Sequence, residues 1–211
     1  MQLQNPHCWS LAKATALSGF QVMNTIAPLD VITILNKQKI SFILVGAYGL
    51  VGWTKAPRAT EDVDLVIAAR HHKKANKALL AAFPHLEPDD QEVVTRLRDR
   101  KTQEVAIDLM KPNQLYRAAF KHTHAVHVGK QVYRVPGLEM ALAMKFAPMI
   151  SLNREDEKKF LDAHDFILMV KANPEIDLEK LAELGELVYS GGGQEILKLV
   201  RKVRAGEKLV L

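Results

Sequence analysis

The sequence holds a single cysteine, Cys8, among 211 residues, so no disulfide can close within the chain, and the paired cysteines of a zinc ribbon are missing. Aromatic residues make up only 6% of the chain, which leaves few platforms on which nucleic-acid bases could stack. There is no apolar stretch of the ~20 residues needed to cross a bilayer. The longest candidates, such as Ile40 to Gly52, are short and broken by glycine. Met1 to Ser10 is polar, contains Pro6 and Trp9, and lacks the basic start and apolar run of a secretion signal. These absences lead to the expectation of a soluble protein of the reducing cytoplasm with no membrane partner. Internal repeats and low-complexity segments are also missing.

What the chain does have is 48% hydrophobic content, sufficient over this length to bury a core in one α/β domain with a helical appendage. Lys and Arg number 29 against 24 Asp and Glu, a net charge of +5, so the surface favours anionic partners: a nucleotide, RNA or an acidic protein.

Periodicity sets the order of elements. From about Pro28 to Lys39, Leu29, Ile32, Leu35 and Ile40 recur at helical spacing, with Asp30 in the first turn where the helix dipole favours an acid. Ser41 to Val45 reads as a buried strand stopped by Gly46, after which a short helix opens. Asp62 to Ile67 reads as a further strand and His71 to Phe83 as a helix. Glu92 to Arg98 and Gln103 to Met110 alternate as a hairpin about Asp99 to Thr102, and Ala125 to Val128 and Gln131 to Val135 form another about Gly129 and Lys130. Beyond Pro136 four helices are expected, Leu138 to Met149, Glu155 to Val170, Leu178 to Tyr189 and Gln194 to Arg204. The fold class is therefore α/β (α+β), a mixed sheet flanked by helices and followed by a helical region. Its divisions fall at an N-terminal extension (1–27), a core (28–135) and a C-terminal helical region (136–211).

The chemistry gathers around three acids. Asp62 and Asp64 sit two apart on an expected strand, so both side chains leave one face while Val63 points into the core. Carboxylates so close repel unless a proton or a cation lies between them. Oxygen-only ligands suit Mg²⁺, which takes one or two carboxylates together with substrate phosphates. Asp108, between Ile107 and Leu109, supplies a third acid from another strand. Alone, an Asp-x-Asp more often marks a solvated strand face, and Asp108 could instead pair with a nearby Arg. The context upstream changes the balance: Val45-Gly46-Ala47-Tyr48-Gly49 ends a strand in a glycine turn and opens a helix whose free N–H groups suit phosphate. Arg58 and Thr60 precede the pair, Arg58 placed to orient a triphosphate and Thr60 either to do the same or to cap the loop. The histidines His71, His72, His122, His124 and His127 match no zinc spacing.

Leu44-Val45-Gly46-Ala47, Arg58-Ala59-Thr60-Glu61-Asp62-Val63-Asp64-Leu65 and Ala106-Ile107-Asp108-Leu109 together resemble the nucleotidyltransferase superfamily that shares the DNA polymerase beta core. The Arg-x-Thr-x-Asp-x-Asp-Leu stretch is similar to the branch that holds the toxins of bacterial abortive-infection toxin and antitoxin pairs. The resemblance covers about residues 28 to 170. It implies a metal-dependent nucleotidyltransferase with Asp62, Asp64 and Asp108 as catalytic and metal-binding residues, Mg²⁺ or Mn²⁺ as cofactor, and a nucleoside triphosphate as donor. The acceptor stays open between tRNA or other RNA, a protein and a small molecule, and an antitoxin is a further partner. Gly46, Ala47, Arg58, Thr60 and Lys145 are the implied nucleotide-binding residues. Lys145, on the helix after the last hairpin, either reaches triphosphate oxygens or snorkels at the surface. Asp162 and Asp165 on the next helix would brace it through Lys158 or Arg154. Ala47 departs from the family pattern, which has Gly or Ser there and thus often a phosphate-binding hydroxyl. A degenerate nucleotide-binding or protein-interaction module is therefore the second reading, and an RNA-binding module using the basic hairpin (Arg96, Arg98, Arg100 and Lys101) and the C-terminal helix (Lys198, Arg201, Lys202 and Arg204) is the third.

Overall fold

The structure, a computed structural model, describes residues 26–209. Nearly all of the expected N-terminal extension, Cys8 included, lies outside the described residues. The chain divides into two compact units: Pro57–Pro136 together with the chain up to Val51, and Gly52–Ala56 together with the chain from Gly137 on.

The first unit opens with α1 (Pro28–Lys37), which has Pro at its first turn and buries Val31, Ile32 and Leu35 along one stripe. β1 (Phe42–Leu44) is buried at every position and passes at Gly46 into α2 (Gly46–Thr54), whose last residues belong to the second unit. β2 (Val63–Ile67) follows, and a 3-10 turn at Ala69–His71 leads into α3 (His72–Ala82). β3 (Leu86–Asp90), β4 (Val94–Asp99) and β5 (Val105–Met110) complete a five-stranded sheet of order β1-β2-β5-β4-β3. Only β2 and β5 pair in parallel; the other neighbours are antiparallel. After α4 (Gln114–Ala119), capped by Asn113 accepting from the Tyr116 N–H at 2.8 Å, β6 (Thr123–Val128) and β7 (Gln131–Pro136) form a separate hairpin.

Because side chains alternate, the five-stranded sheet has two chemically different faces. Leu44, Leu65 and Leu109 sit in register across β1, β2 and β5, and with Phe42, Val63, Ile67, Ile107 and Leu97 they pack in one core with Val31, Ile32 and Leu35 of α1 and Ala75 and Leu79 of α3. Each such fully buried aliphatic side chain contributes about 1.5–3 kcal/mol relative to exposure. The opposite face carries an apolar row, Ile43, Val66, Met110 and Val94, and beside it a charged row, Asp64, Asp108, Arg96 and Asp89.

The second unit contains α5 (Leu138–Met149), α6 (Asp156–Ala172), α7 (Leu178–Glu186) and α8 (Gly192–Ala205). α5 is buried nearly all round, as an apolar central helix must be, and it packs against α6 and α7. α7 and α8 approach so closely that a Cβ on Gly192 would lie 2.3 Å from the Gly185 carbonyl oxygen. No helix among the described residues is long and apolar enough to cross a membrane.

Two elements differ from sequence expectation by their presence. β3 contains Pro88 and three acids, a composition that opposes strand formation; it survives because it sits at the sheet edge, where a missing N–H costs no ladder bond. α4 is six residues long, too short for periodicity to register. Boundaries also move: β4 begins at Val94 instead of Glu92, β5 at Val105 instead of Gln103, and β2 at Val63, so Asp62 is the last loop residue before the strand.

Candidate active site

Asp62, Asp64 and Asp108 converge. Each offers a carboxylate oxygen, and the three oxygens lie within 4.8 Å of one another, close enough to share a cation. The register explains it: in the parallel pair Asp64 stands directly opposite Asp108, and the intervening core residues Val63, Ile107, Leu65 and Leu109 fix that register from the other face. Asp62 joins them from the loop end, where its Oδ1 accepts a 2.6 Å hydrogen bond from the Thr60 hydroxyl. Thr60 thereby orients a carboxylate as well as closing the loop. Asp108 is buried, whereas Asp62 and Asp64 are half-buried, so the cluster opens on the side of the acid pair.

Gly46 shapes the wall of this cluster. Its φ of +59° is one that residues with side chains rarely adopt, and a Cβ there would lie 1.8 Å from Asp64 Oδ2. The backbone of the turn therefore rests directly against the carboxylate. The Val45 N–H donates to the Asp64 carbonyl at 2.9 Å, stitching turn and strand together. Gly49, one turn on, faces the Leu44 carbonyl oxygen, which a Cβ would approach to 2.3 Å. Both glycines of the motif are thus required by close approach, and α2 begins beside the acids with its N-terminal amides.

Tyr48, within the glycine motif but not singled out by the sequence, packs against the core and lies within electrostatic reach of Asp62. It is half-buried on the first turn of α2, and burial, then the negative charge of Asp62, push its phenol above the usual range. Arg58 is exposed on the loop before Asp62 and has a long 3.5 Å contact from Nη1 to the Ala59 carbonyl. Arg96, on β4, is the cross-strand partner of Asp108; its Nε stands 3.7 Å from Asp108 Oδ1. The two readings of Asp108, carboxylate of a cluster and partner of an arginine, thus hold together.

In the second unit, Lys145 does not snorkel. Its side chain is 12% exposed and its Nζ is 2.8 Å from both Asp162 Oδ1 and Asp165 Oδ2. Arg154 Nη2 reaches Asp162 Oδ2 at 3.0 Å, while Lys158 pairs with Glu155 instead. Burial alone would lower the ammonium pKa, but the charges of Asp162 and Asp165 and their hydrogen bonds outweigh it and leave the value raised. Lys145 is therefore a fixed cation.

No family model and no curated protein matches the chain. Solved structures do. The antibiotic-resistance factor ANT(2'')-Ia aligns in solution with a TM-score of 0.52 at 9% identity, over 85% of this chain and 96% of that one. In complex with adenylyl-2''-tobramycin it aligns at 0.50 and 10% identity, over 92% and 98%. An antigenic nucleotidyltransferase-like protein from Paracoccidioides brasiliensis aligns at 0.48 with 21% identity, over 86% and 94%. The chain has the nucleotidyltransferase fold.

Proposed function

We propose that this chain is a metal-dependent nucleotidyltransferase that transfers a nucleoside monophosphate from a nucleoside triphosphate to an acceptor hydroxyl, releasing pyrophosphate. The observation that carries this reading is the convergence of three carboxylate oxygens within 4.8 Å, against a glycine turn at the start of a helix. Three carboxylates this close, two of them half-buried, fit a hard divalent ion such as Mg²⁺ or Mn²⁺. Bound by Asp62, Asp64 and Asp108, such ions would neutralise phosphate charge and lower the pKa of the attacking hydroxyl.

The chain's own groups account for the remainder. Gly46 and Ala47 present main-chain N–H groups at the helix start, where the dipole favours phosphate, so the hydroxyl missing at Ala47 is replaced by backbone contacts. Thr60 holds Asp62 in position, and Arg58 on the exposed loop has a fork of donors for phosphate oxygens. Asp108 takes the proton of the acceptor hydroxyl. Lys145 has three N–H donors, two of them engaged by Asp162 and Asp165. The solved structure that holds adenylyl-2''-tobramycin supports an acceptor hydroxyl as the destination of the nucleotidyl group. RNA, a protein side chain and a small molecule are the acceptor classes to screen, with a toxin role and an antitoxin partner as the biological setting.

The test is incubation of the purified protein with labelled triphosphates, Mg²⁺ or Mn²⁺ and acceptor panels. Asp64→Ala should reduce transfer by roughly 10²-fold or more, since it removes one of the three carboxylates from the site. Equal transfer by wild type and variant would remove the assignment.

A further inference from the structure

Helix α6 is apolar on two sides. Asp162, Ala163, Asp165, Phe166, Met169 and Val170 are buried on the side that packs against α5 and α8. On the other side Phe160 is 65% exposed and Leu161 48%, His164 is exposed, and Ile167 and Leu168 are half-buried. A surface helix with one core to face needs one apolar stripe and turns polar residues outward, so this second stripe lacks a reason within its own unit. Other exposed hydrophobics among the described residues, such as Leu29, Val93 and Val132, are scattered over separate parts of the fold, where single apolar residues are ordinary.

The stripe is complementary to its own reverse. At about 100° per residue, Phe160, Leu161, Ile167 and Leu168 all fall within about 60° of His164 around the helix, and Glu157 and Lys171 continue the same line at its two ends. Turning the helix end for end about His164 lays Phe160 on Leu168, Leu161 on Ile167 and Glu157 on Lys171, apolar on apolar and acid on base. Glu157 and Lys171 are exposed and have no ion-pair partner among the described residues, whereas Lys158 pairs with Glu155 and Lys159 with Asp156. Each charge suits its own end of the helix dipole, which accounts for its sign but not for the apolar residues between them.

We propose that this face of α6 receives a second copy of the chain, in a two-fold dimer whose α6 helices pair antiparallel across His164. A two-fold contact brings the same patch from both copies together, and so requires a patch that fits its own reverse. Helices crossing at about 20° stay in contact over several turns. The four apolar residues of each copy then meet in the middle, and Glu157 of one copy meets Lys171 of the other at both ends. A partner of one charge sign would be attracted at one end of the stripe and repelled at the other. A helix of 17 residues is about 25 Å long, which places the contact toward the low end of interface sizes, at about 1,200 Å² in total, with reversible association on the order of micromolar. The inference goes beyond the transfer reaction and does not depend on it.

Sedimentation velocity of the purified full chain over about 1–200 µM follows the association directly. Wild type should pass from monomer to dimer within that range. Phe160→Asp puts a charge in the middle of the contact and should leave the protein monomeric throughout, with circular dichroism to separate loss of fold from loss of contact. Val93→Asp, at a position of matching exposure (64%) between β3 and β4, should dimerise as wild type does. The charges report the direction of pairing. Glu157→Lys and Lys171→Glu each set like charges against each other at both ends and should weaken the dimer by roughly 10-fold, the scale of reversing two exposed ion pairs. An equimolar mixture of these two variants brings opposite charges together again at both ends, as does the double variant, and each should regain most of the wild-type affinity. Regain in the mixture also shows that both single variants are folded. Wild type that stays monomeric at the highest concentration would overturn the proposal and leave the face to a different partner. So would a dimer that survives Phe160→Asp, that Val93→Asp abolishes equally, or whose charge variants gain nothing from being mixed.

Discussion

Gly46 shows how much a single residue decides. A methyl group there would meet the Asp64 carboxylate and force a side chain into a left-handed backbone conformation. Gly129, in the β6–β7 turn, has nearly the same φ, +58° against +59°, but a Cβ there meets nothing within 4 Å. Alanine at either position should cost about 1–2 kcal/mol of stability from the backbone alone. Only Gly46→Ala should also displace Asp64 and lower transfer, by roughly 10²-fold on the scale of losing a positioned catalytic group. Urea melts paired with pyrophosphate release on the two variants separate strain from chemistry, and transfer reduced equally in both would refute a role for the turn.

At the scale of elements, the tie between α5 and α6 is a buried cation held by two acids. Lys145→Met removes the buried cation that both Asp162 and Asp165 face, and should destabilise the protein by about 3–5 kcal/mol. The pH dependence has a definite sign. A raised folded pKa means that Lys145 contributes its full stability below the unfolded value of about 10.5 and loses it as pH climbs through the higher folded value. Denaturation followed from neutral to strongly alkaline pH should show this loss in wild type, with Lys145→Met lacking that component of the decline. A similar urea midpoint for both proteins at pH 8 would refute the structural role.

The sheet teaches a related lesson. Alternation in Asp62 to Ile67 is enough to say that Asp64 faces away from the core, because a period of two admits no other arrangement with Val63, Leu65 and Ile67 buried. The same pattern holds for Asp108 between Ile107 and Leu109. Which strands lie side by side was not legible, since β5 reaches β2 past β3 and β4 by a connection no local pattern encodes. Arg96 was visible only as one of several basic residues about a hairpin. Its significance comes from standing opposite Asp108, and the nearness of Tyr48 to Asp62 was likewise visible only in the fold.

For the whole molecule, three clustered carboxylates are a store of repulsion that a cation relieves. Mg²⁺ with a nucleoside triphosphate should therefore stabilise the folded protein, by about 2.7 kcal/mol at one hundred times the dissociation constant. For a chain of this size that corresponds to roughly 5–10 °C in melting temperature. A thermal-shift titration should find this rise in wild type and little of it in Asp64→Ala; equal shifts in both would place the ligand elsewhere.

Most of the helices and strands, though not β3 or α4, the glycine turn and the identity of the three acids were determined by the sequence alone, because hydrophobic period and backbone permissiveness are local properties of neighbouring residues. The tertiary structure decided that β5 lies beside β2, that Asp108 meets Asp62 and Asp64, that Arg96 stands next to them, and that Lys145 is buried between two acids. Those are choices of partner between distant segments, set by how the whole core packs.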